Sequence, residues 1–409
     1  MMKDQNFAQA TDVTLLFLFL SFLKIGATSW GGFMALISVI QKELIEKKNI
    51  IEDKVVLDGI SLASILPGPI AFNVVIFIGY RLRGMKGALV SMLGILLPSF
   101  IFMLILSYIY IEYGNLPVLE NFFKGVLPAV AAIIVAVALN MAKKNIKDFK
   151  QVIICIVALG ILLISKSFFI TFIIILGGAF LGYILYGNSP MEAQQLEKSS
   201  KSRQNVNQLI YSSIGVVGFM LLIWFLPFLL KGSAAAMASI QKDLMLTFST
   251  ISLTLFGGGY VIIPIMQETI VSGLQWLSEK EFADAIAMGQ LTPGPIFISA
   301  TFIGYKVGGI IGAITATLAV FIPPGIIMII VSQFFDHIKE SKYIKAAFKG
   351  LRPAVIGMIF AAAVTIGTNI PISWFAVSVF IVVLIASVRY KVSVALLIPL
   401  SGVSGLLIF

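Results

Sequence analysis

The sequence predicts an all-α polytopic membrane protein built from two inverted-topology repeats with broken, re-entrant helices. Composition is the first observation behind this. Of 409 residues, 59% are hydrophobic and only 12% charged, and the mean hydropathy is +1.03, whereas a soluble domain carries about 25% charged residues. Uninterrupted apolarity is the second. A bilayer core of about 30 Å takes roughly 20 helical residues, and runs such as Ala88–Ile111 supply them. Such runs lack the alternation by which a membrane β-barrel separates its lipid-facing from its lumen-facing side chains. An internal repeat is the third observation, and it organises the whole chain.

Pro67-Gly68-Pro69 returns as Pro293-Gly294-Pro295, 226 residues later. The same offset aligns Gly31-Gly32 with Gly257-Gly258, Gln41 with Gln267 and Asp58 with Asp284. After one deleted residue, Ile78-Gly79-Tyr80 meets Ile303-Gly304-Tyr305, and Phe123-Lys124-Gly125 meets Phe348-Lys349-Gly350. A run of matches in one register defines a duplicated unit. The N-terminal unit is expected over 1–187 and the C-terminal unit over 240–409. Between them, 188–208 is rich in Ser, Gln, Lys and Glu and reads as a cytoplasmic linker. The apolar run 209–230 has no counterpart in the repeat and reads as an extra transmembrane helix, which would turn the second unit over.

Loop charges agree with that inversion. Gln41–Lys54 carries Lys42, Lys47, Lys48 and Lys54, and Lys143–Lys150 carries four lysines. The equivalent loops of the second half are poor in base: Gln267–Lys280 has one Lys, and Thr368–Ser373 has no charge. Conversely, Ile111–Asn121 has no Lys or Arg, while Asp336–Lys349 has four lysines. Lys and Arg mark cytoplasmic loops. The net charge of +10 is therefore read as membrane orientation, with no nucleic-acid partner. Inverted repeats are characteristic of secondary transporters, whose sites lie near the midplane where the repeats meet.

Val55–Tyr80 has basic flanks on both sides, so it is expected to enter the membrane and return, with Pro67-Gly68-Pro69 at the tip. Pro interrupts the hydrogen bonds of the first arm, Gly permits the turn, and Pro suits the first turn of the second arm. The N–H groups that open the second arm would then attract an anion. Asp12–Lys42 is expected to be interrupted at Gly26-Ala27-Thr28-Ser29-Trp30-Gly31-Gly32, and Thr247–Gln267 at Phe256-Gly257-Gly258-Gly259. Parity gives nine full crossings, four re-entrant pairs and an internal N-terminus as the expectation. Gly and Pro also serve close helix packing, but four breaks at equivalent positions favour binding.

Polar residues inside apolar runs complete the candidate substrate site. Lys24, just before the first break, is read either as an anion-neutralising base or as a snorkelling amine. Thr28, Asn73, Gln290 and Thr292 are uncharged donors near the breaks and tips. Asp58 and Asp284 are the carboxylate pair that the repeat preserves. Each is a proton-coupling candidate if burial raises its pKa; the competing expectation, favoured here, places each near the surface, capping or paired with a loop base. No P-loop is present, the single histidine, His337, lies in a basic loop, and Cys155 is the single cysteine. An enzyme, a catalytic metal, a cofactor and a disulfide are thus not expected. The N-terminus shows no signal-peptide cleavage pattern.

These motifs resemble the chromate ion transporter family. Phe256-Gly257-Gly258-Gly259-Tyr260 is similar to its phenylalanine–glycine signature. Trp276-Leu277-Ser278-Glu279-Lys280-Glu281-Phe282 and Gln290-Leu291-Thr292-Pro293-Gly294-Pro295 resemble its continuation. The first half repeats the plan in Phe22-Leu23-Lys24-Ile25-Gly26, Gly31-Gly32 and Leu66-Pro67-Gly68-Pro69, but has Ile50-Ile51 opposite Trp276-Leu277. The resemblance covers both halves and corresponds to the family's fused two-domain form. It implies a multi-pass protein of the cytoplasmic (inner) membrane that exports chromate, driven by a proton gradient or the membrane potential. The expected partners are the lipid bilayer and a small oxyanion, chromate or sulfate, with a homo-oligomer left open. The alternatives are a proton-coupled carrier of another small anion and a non-transporting scaffold or sensor.

Overall fold

The computed structural model describes residues 13–30, 33–114, 116–164, 168–187, 233–255, 260, 262–332, 342–368 and 370–409. Among them, all regular structure is helical. The linker 188–208, the extra helix 209–230, His337 and the glycines Gly31, Gly32, Gly257, Gly258 and Gly259 lie outside the described residues.

The first half opens with a hairpin. α1 (Leu15–Thr28) is capped by Thr14, whose hydroxyl accepts from the Phe17 N–H. Past the break, α2 (Phe33–Ile40) runs into a π-helical turn, Gln41–Lys47. The Lys48 amine returns to the Ser21 hydroxyl, 3.1 Å away, and sits 4.1 Å from the Phe17 ring centroid. The chain after the break therefore runs back along α1, as a re-entrant pair must. The second hairpin is α3 (Asp53–Ala63), the Pro67–Pro69 tip and the first limb of α4 (Ile70–Tyr113).

α4 is not one straight rod. Arg83 and Gly84 leave helical geometry, with Gly84 at φ 60°, ψ −149°. Gly79 then faces Gly87 and Ser91 so closely that none of the intervening space could hold a Cβ. Eight residues along a straight helix would lie about 12 Å apart, so the limbs fold back on each other. The second limb is followed by α5 (Pro117–Asn145), α6 (Phe149–Ile164) and α7 (Phe168–Tyr186).

The second half repeats this order in α8 (Ser233–Leu253), α9 (Ile262–Met266) with its own π-helical turn Gln267–Gly273, and α10 (Glu279–Leu291). A capping box of Ser278 and Glu281 starts α10. A 3-10 turn, Ile296–Ile298, leads into α11 (Ser299–Ser332), then come α12 (Lys342–Thr368), α13 (Trp374–Val388) and α14 (Val394–Ile408). The kink of α4 returns in α11 as Gly309 at φ 62°, ψ −153°.

The halves grip each other reciprocally. Gly125 of α5 meets the Ser401 backbone and Gly405 of α14, while Gly350 of α12 meets Gly178 and Gly182 of α7. At the matching ends, the Lys124 amine lies 5.1 Å from the Phe409 ring centroid and the Lys349 amine 5.2 Å from that of Tyr186. Small residues let these backbones touch, which is how helices associate in lipid. The Gln151 side chain, just past the end of α5, donates to the Lys349 carbonyl near the start of α12. The end of α5 thus shares a side with the start of α12. These two helices are repeat equivalents running in opposite directions, so the two units are inverted. Their basic ends, Lys143–Lys150 and Lys342–Lys349, lie together as the positive-inside pattern requires.

Candidate oxyanion site at the seam

Each Pro-Gly-Pro tip is held by the opposite half. Gly68 and Gly294 have φ of +97° and +105°, the left-handed region where a side chain is strained. The Gly68 N–H donates to the Leu255 carbonyl at 2.8 Å, and the Gly294 N–H to the Ser29 carbonyl at 2.9 Å. Ser29 and Leu255 are equivalent positions at the ends of α1 and α8, immediately beside the glycine breaks. A Cβ on Gly68 would strike Pro324, and one on Gly294 would strike Ser99, again an equivalent pair. The Ser99 hydroxyl donates to the Pro293 carbonyl. Both tips therefore converge on the inter-half seam, each next to the break of the other unit.

Behind the tips, Phe321 bridges the two post-tip segments. Its ring centroid is 4.9 Å from Phe72 and 6.1 Å from Phe297, which are themselves repeat equivalents. Asn73 is fully buried, and its amide donates to the Pro67 carbonyl at 2.9 Å, closing the first tip on itself; its side-chain oxygen has no partner. Pro69 supplies no N–H, and the N–H groups of Ile70, Ala71 and Phe72 open α4, where a helix has no acceptors of its own. At the second tip, the buried Thr292 hydroxyl donates to the Gly289 carbonyl. The Gln290 side chain accepts from the Tyr260 hydroxyl at 3.2 Å, and its buried NH2 group has no hydrogen-bond partner. Gln290 is thus an uncommitted donor beside Pro293-Gly294-Pro295.

The charged candidates separate into different environments. Lys24 lies along the first hairpin, and its amine is 3.1 Å from Glu43. That buried carboxylate is also held by Lys47 at 2.7 Å, so the base is largely committed to an ion triad. Thr28 is exposed, and its hydroxyl bonds the Lys24 carbonyl within the helix. Asp58 is half-buried on α3. Asp284 contradicts the surface reading: it is 1% exposed, one oxygen accepts from the Tyr110 hydroxyl of the first half at 2.6 Å, and the other has no hydrogen-bond partner. The physical reason is packing of α10, whose Phe282–Gly289 stretch is buried throughout. Ser99 and Tyr110 escaped the sequence reading because their partners lie in the other half, and Glu43 because Lys24 stands 19 residues away. The Lys47–Glu43 pair is only four residues apart, and that spacing was a legible signal. For Ser99 a signal existed, since it stands at the position of Pro324.

A model of the chromate transporter family matches residues 16–183 and 242–406, one match for each half. The chain belongs to that family. An uncharacterized transporter of Methanocaldococcus jannaschii is 30% identical over 407 residues, 99% of this chain and 97% of its own. The chromate transport protein of Cupriavidus metallidurans is 28% identical over 87% of this chain and 84% of its own length, and that of Pseudomonas aeruginosa 28% over 96% and 92%. A shorter uncharacterized transporter of Bacillus subtilis aligns over 163 residues, 39% of this chain and 92% of itself, which fits a fused form of a single unit. No solved structure matches.

Proposed function

We propose that this chain is a secondary transporter of a small oxyanion, most directly a chromate exporter of the cytoplasmic membrane, working by alternating access. The reciprocal bonds Gly68 N–H to Leu255 and Gly294 N–H to Ser29 carry this reading, because they put two helix-breaking tips from inverted units at one seam. A tetrahedral dianion suits such a place. Helix-opening N–H groups and amide donors such as Gln290 can hold it without a matching set of bases. The breaks Gly31-Gly32 and Gly257-Gly258-Gly259 follow Ser29 and Leu255 after one residue each and belong to the same proposed site. Exchange of the two hairpins' positions about the pseudo-two-fold axis would open the seam to the opposite side.

Asp284 is the proton-coupling residue in this proposal, in preference to Asp58. Charge at a site this deeply buried is costly, and proton uptake removes that charge. Its bond to Tyr110 crosses between the halves, so its protonation acts on the contact that rocking must change. The relatives named as chromate transport proteins support chromate as substrate; sulfate has the same shape and charge and is the natural competitor.

Chromate uptake into inverted vesicles under an imposed pH gradient, with sulfate as competitor, tests the reading. Gradient-dependent uptake that Gly294→Val abolishes is expected. Absence of flux for both anions from folded protein would overturn it in favour of a scaffold or sensor.

A further inference from the structure

α12 holds a cation where a membrane helix should be apolar. Its residues Lys342, Lys345, Lys349 and Arg352 are the charged residues of the helix, and it contains no Asp or Glu. Gly350 packs on α7 and Gly357 on α6, which fixes the orientation of the helix. At 100° per residue, Arg352 points about 200° away from Gly350, opposite α7. The same stripe continues through Val355, Ile356, Ile359, Ala363 and Ile366, all buried. It is therefore a protein-facing stripe, left to the helix's other partners, α5 and α9. Arg352 is half-buried on it. Among the described residues, its contact is the Phe348 ring, 5.7 Å away, and no carboxylate pairs with it. A charge held inside an apolar helix marks function unless it is paired.

The equivalent stripe of α5 has Leu127 at this position and Glu120 in place of Lys345. Because the units are inverted, these two stripes open on opposite sides. On one side stands Lys345 with Arg352 about two turns further along the helix, and on the other Glu120 and Leu127. Lys349, by contrast, is engaged over the Tyr186 ring.

We propose that Arg352 is an anion-docking residue at the basic mouth of the seam, where it binds a tetrahedral oxyanion before the Pro-Gly-Pro tips do. This rests on the oxyanion reading given above and adds a second binding position to it. A guanidinium presents paired N–H donors in one plane, matching two oxygens of a chromate or sulfate ion, whereas an ammonium gives a point charge. Lys345, exposed at the mouth, raises the local anion concentration, and Arg352 orients the ion toward the seam. The anionic headgroup of a lipid has the same chemistry, but the stripe faces protein rather than lipid.

Arg352→Leu is the decisive variant, because leucine already fills the equivalent position of α5. In proteoliposomes of the full chain, it should raise the chromate KM at least tenfold, with the rate at saturating chromate within twofold of wild type. Arg352→Lys should fall between. In detergent, chromate should protect wild type against thermal unfolding and protect Arg352→Leu less, a readout that needs no flux. Flux with an unchanged KM in Arg352→Leu overturns the dock and leaves the transport reading standing. Absent flux, with protection that depends on Arg352, overturns the transport reading and leaves the dock. Vesicles of phosphatidylcholine alone and with phosphatidylglycerol separate the two anion sources. A KM effect confined to phosphatidylglycerol vesicles would assign Arg352 to lipid and overturn the proposal.

Discussion

In the first half, Lys24, Glu43 and Lys47 form an ion triad along the opening hairpin. At the equivalent positions of the second half stand Thr250, Thr269 and Gly273, which line a cavity of about 450 Å³. The backbones that carry these residues agree closely. Both hairpins end in a π-helical turn at the same register, and both later kinks have a glycine near φ 60°. The side chains diverge again at Ser99 and Pro324 and at Leu127 and Arg352, while Asp58 and Asp284 keep one residue type in different burial. Symmetry is thus kept at the Pro-Gly-Pro tips and the kink glycines that set the backbone, and broken at several of the charged positions. An inverted-repeat carrier needs the first to interconvert two similar states. It needs the second if one ion is to be handled differently on the two sides.

The largest expected effect comes from breaking the shared geometry. Gly68→Val combines positive-φ strain, about 1–3 kcal/mol, with overpacking against Pro324, about 1–3 kcal/mol. Gly294→Val carries the same strain but meets the Ser99 hydroxyl, which can rotate away. Gly68→Val should therefore lower the unfolding temperature more than Gly294→Val, and both should abolish chromate uptake. Equal, small shifts would mean that the tips are not locked by the opposite half.

The tips also mark how far sequence could carry the argument. Pro67-Gly68-Pro69 and its repeat were legible because a φ-restricted residue on each side of a glycine has few other uses. Inversion was legible because loop lysines report the side of the membrane. What the sequence could not supply was every bond that crosses the seam. Nothing in the local pattern pairs Gly68 with Leu255 or Tyr110 with Asp284, and the repeat gave Asp58 and Asp284 the same expected role. Burial of α10 separates them, and burial is a property of three-dimensional packing. Lys24 shows the converse: its position before a break suggested a free base, while a glutamate 19 residues on neutralises it.

The next effect tests the divergence at the carboxylates. Asp284→Asn should cut pH-gradient-driven uptake at least tenfold and flatten its dependence on the gradient. Asp58→Asn should stay within twofold of wild type. Tyr110→Phe removes one hydrogen bond to Asp284 and should give an intermediate loss with a displaced pH profile, read by uptake at a series of internal pH values. If the two Asn variants behave alike, the asymmetry drawn between them is wrong.

A smaller effect is expected at the ion triad. Glu43→Gln leaves two lysines without their carboxylate, but both amines are about half exposed. Solvent screening limits the loss to about 1 kcal/mol, read as a lower unfolding temperature that high salt partly masks. Thr269→Val, at the equivalent position, should change stability less and show no salt dependence.

An effect of similar size probes a polar bond at the second tip that the first tip lacks. Ser99→Ala removes the donor to the Pro293 carbonyl and should cost about 0.5–1.5 kcal/mol. It also clears the atom that a Cβ on Gly294 would strike. The two substitutions are therefore coupled, as residues in contact are. Gly294→Ala should be less damaging in a Ser99→Ala background than in wild type, leaving mainly the strain of a positive φ. No such rescue is open to Gly68→Ala, because the ring of Pro324 and the helix behind it cannot swing aside. A double-mutant cycle on unfolding temperature that found strict additivity at Ser99 and Gly294 would show that the second tip does not rest on α4. The reciprocal docking of tips, and with it the equivalence of the two halves at the seam, would then hold for the first tip alone.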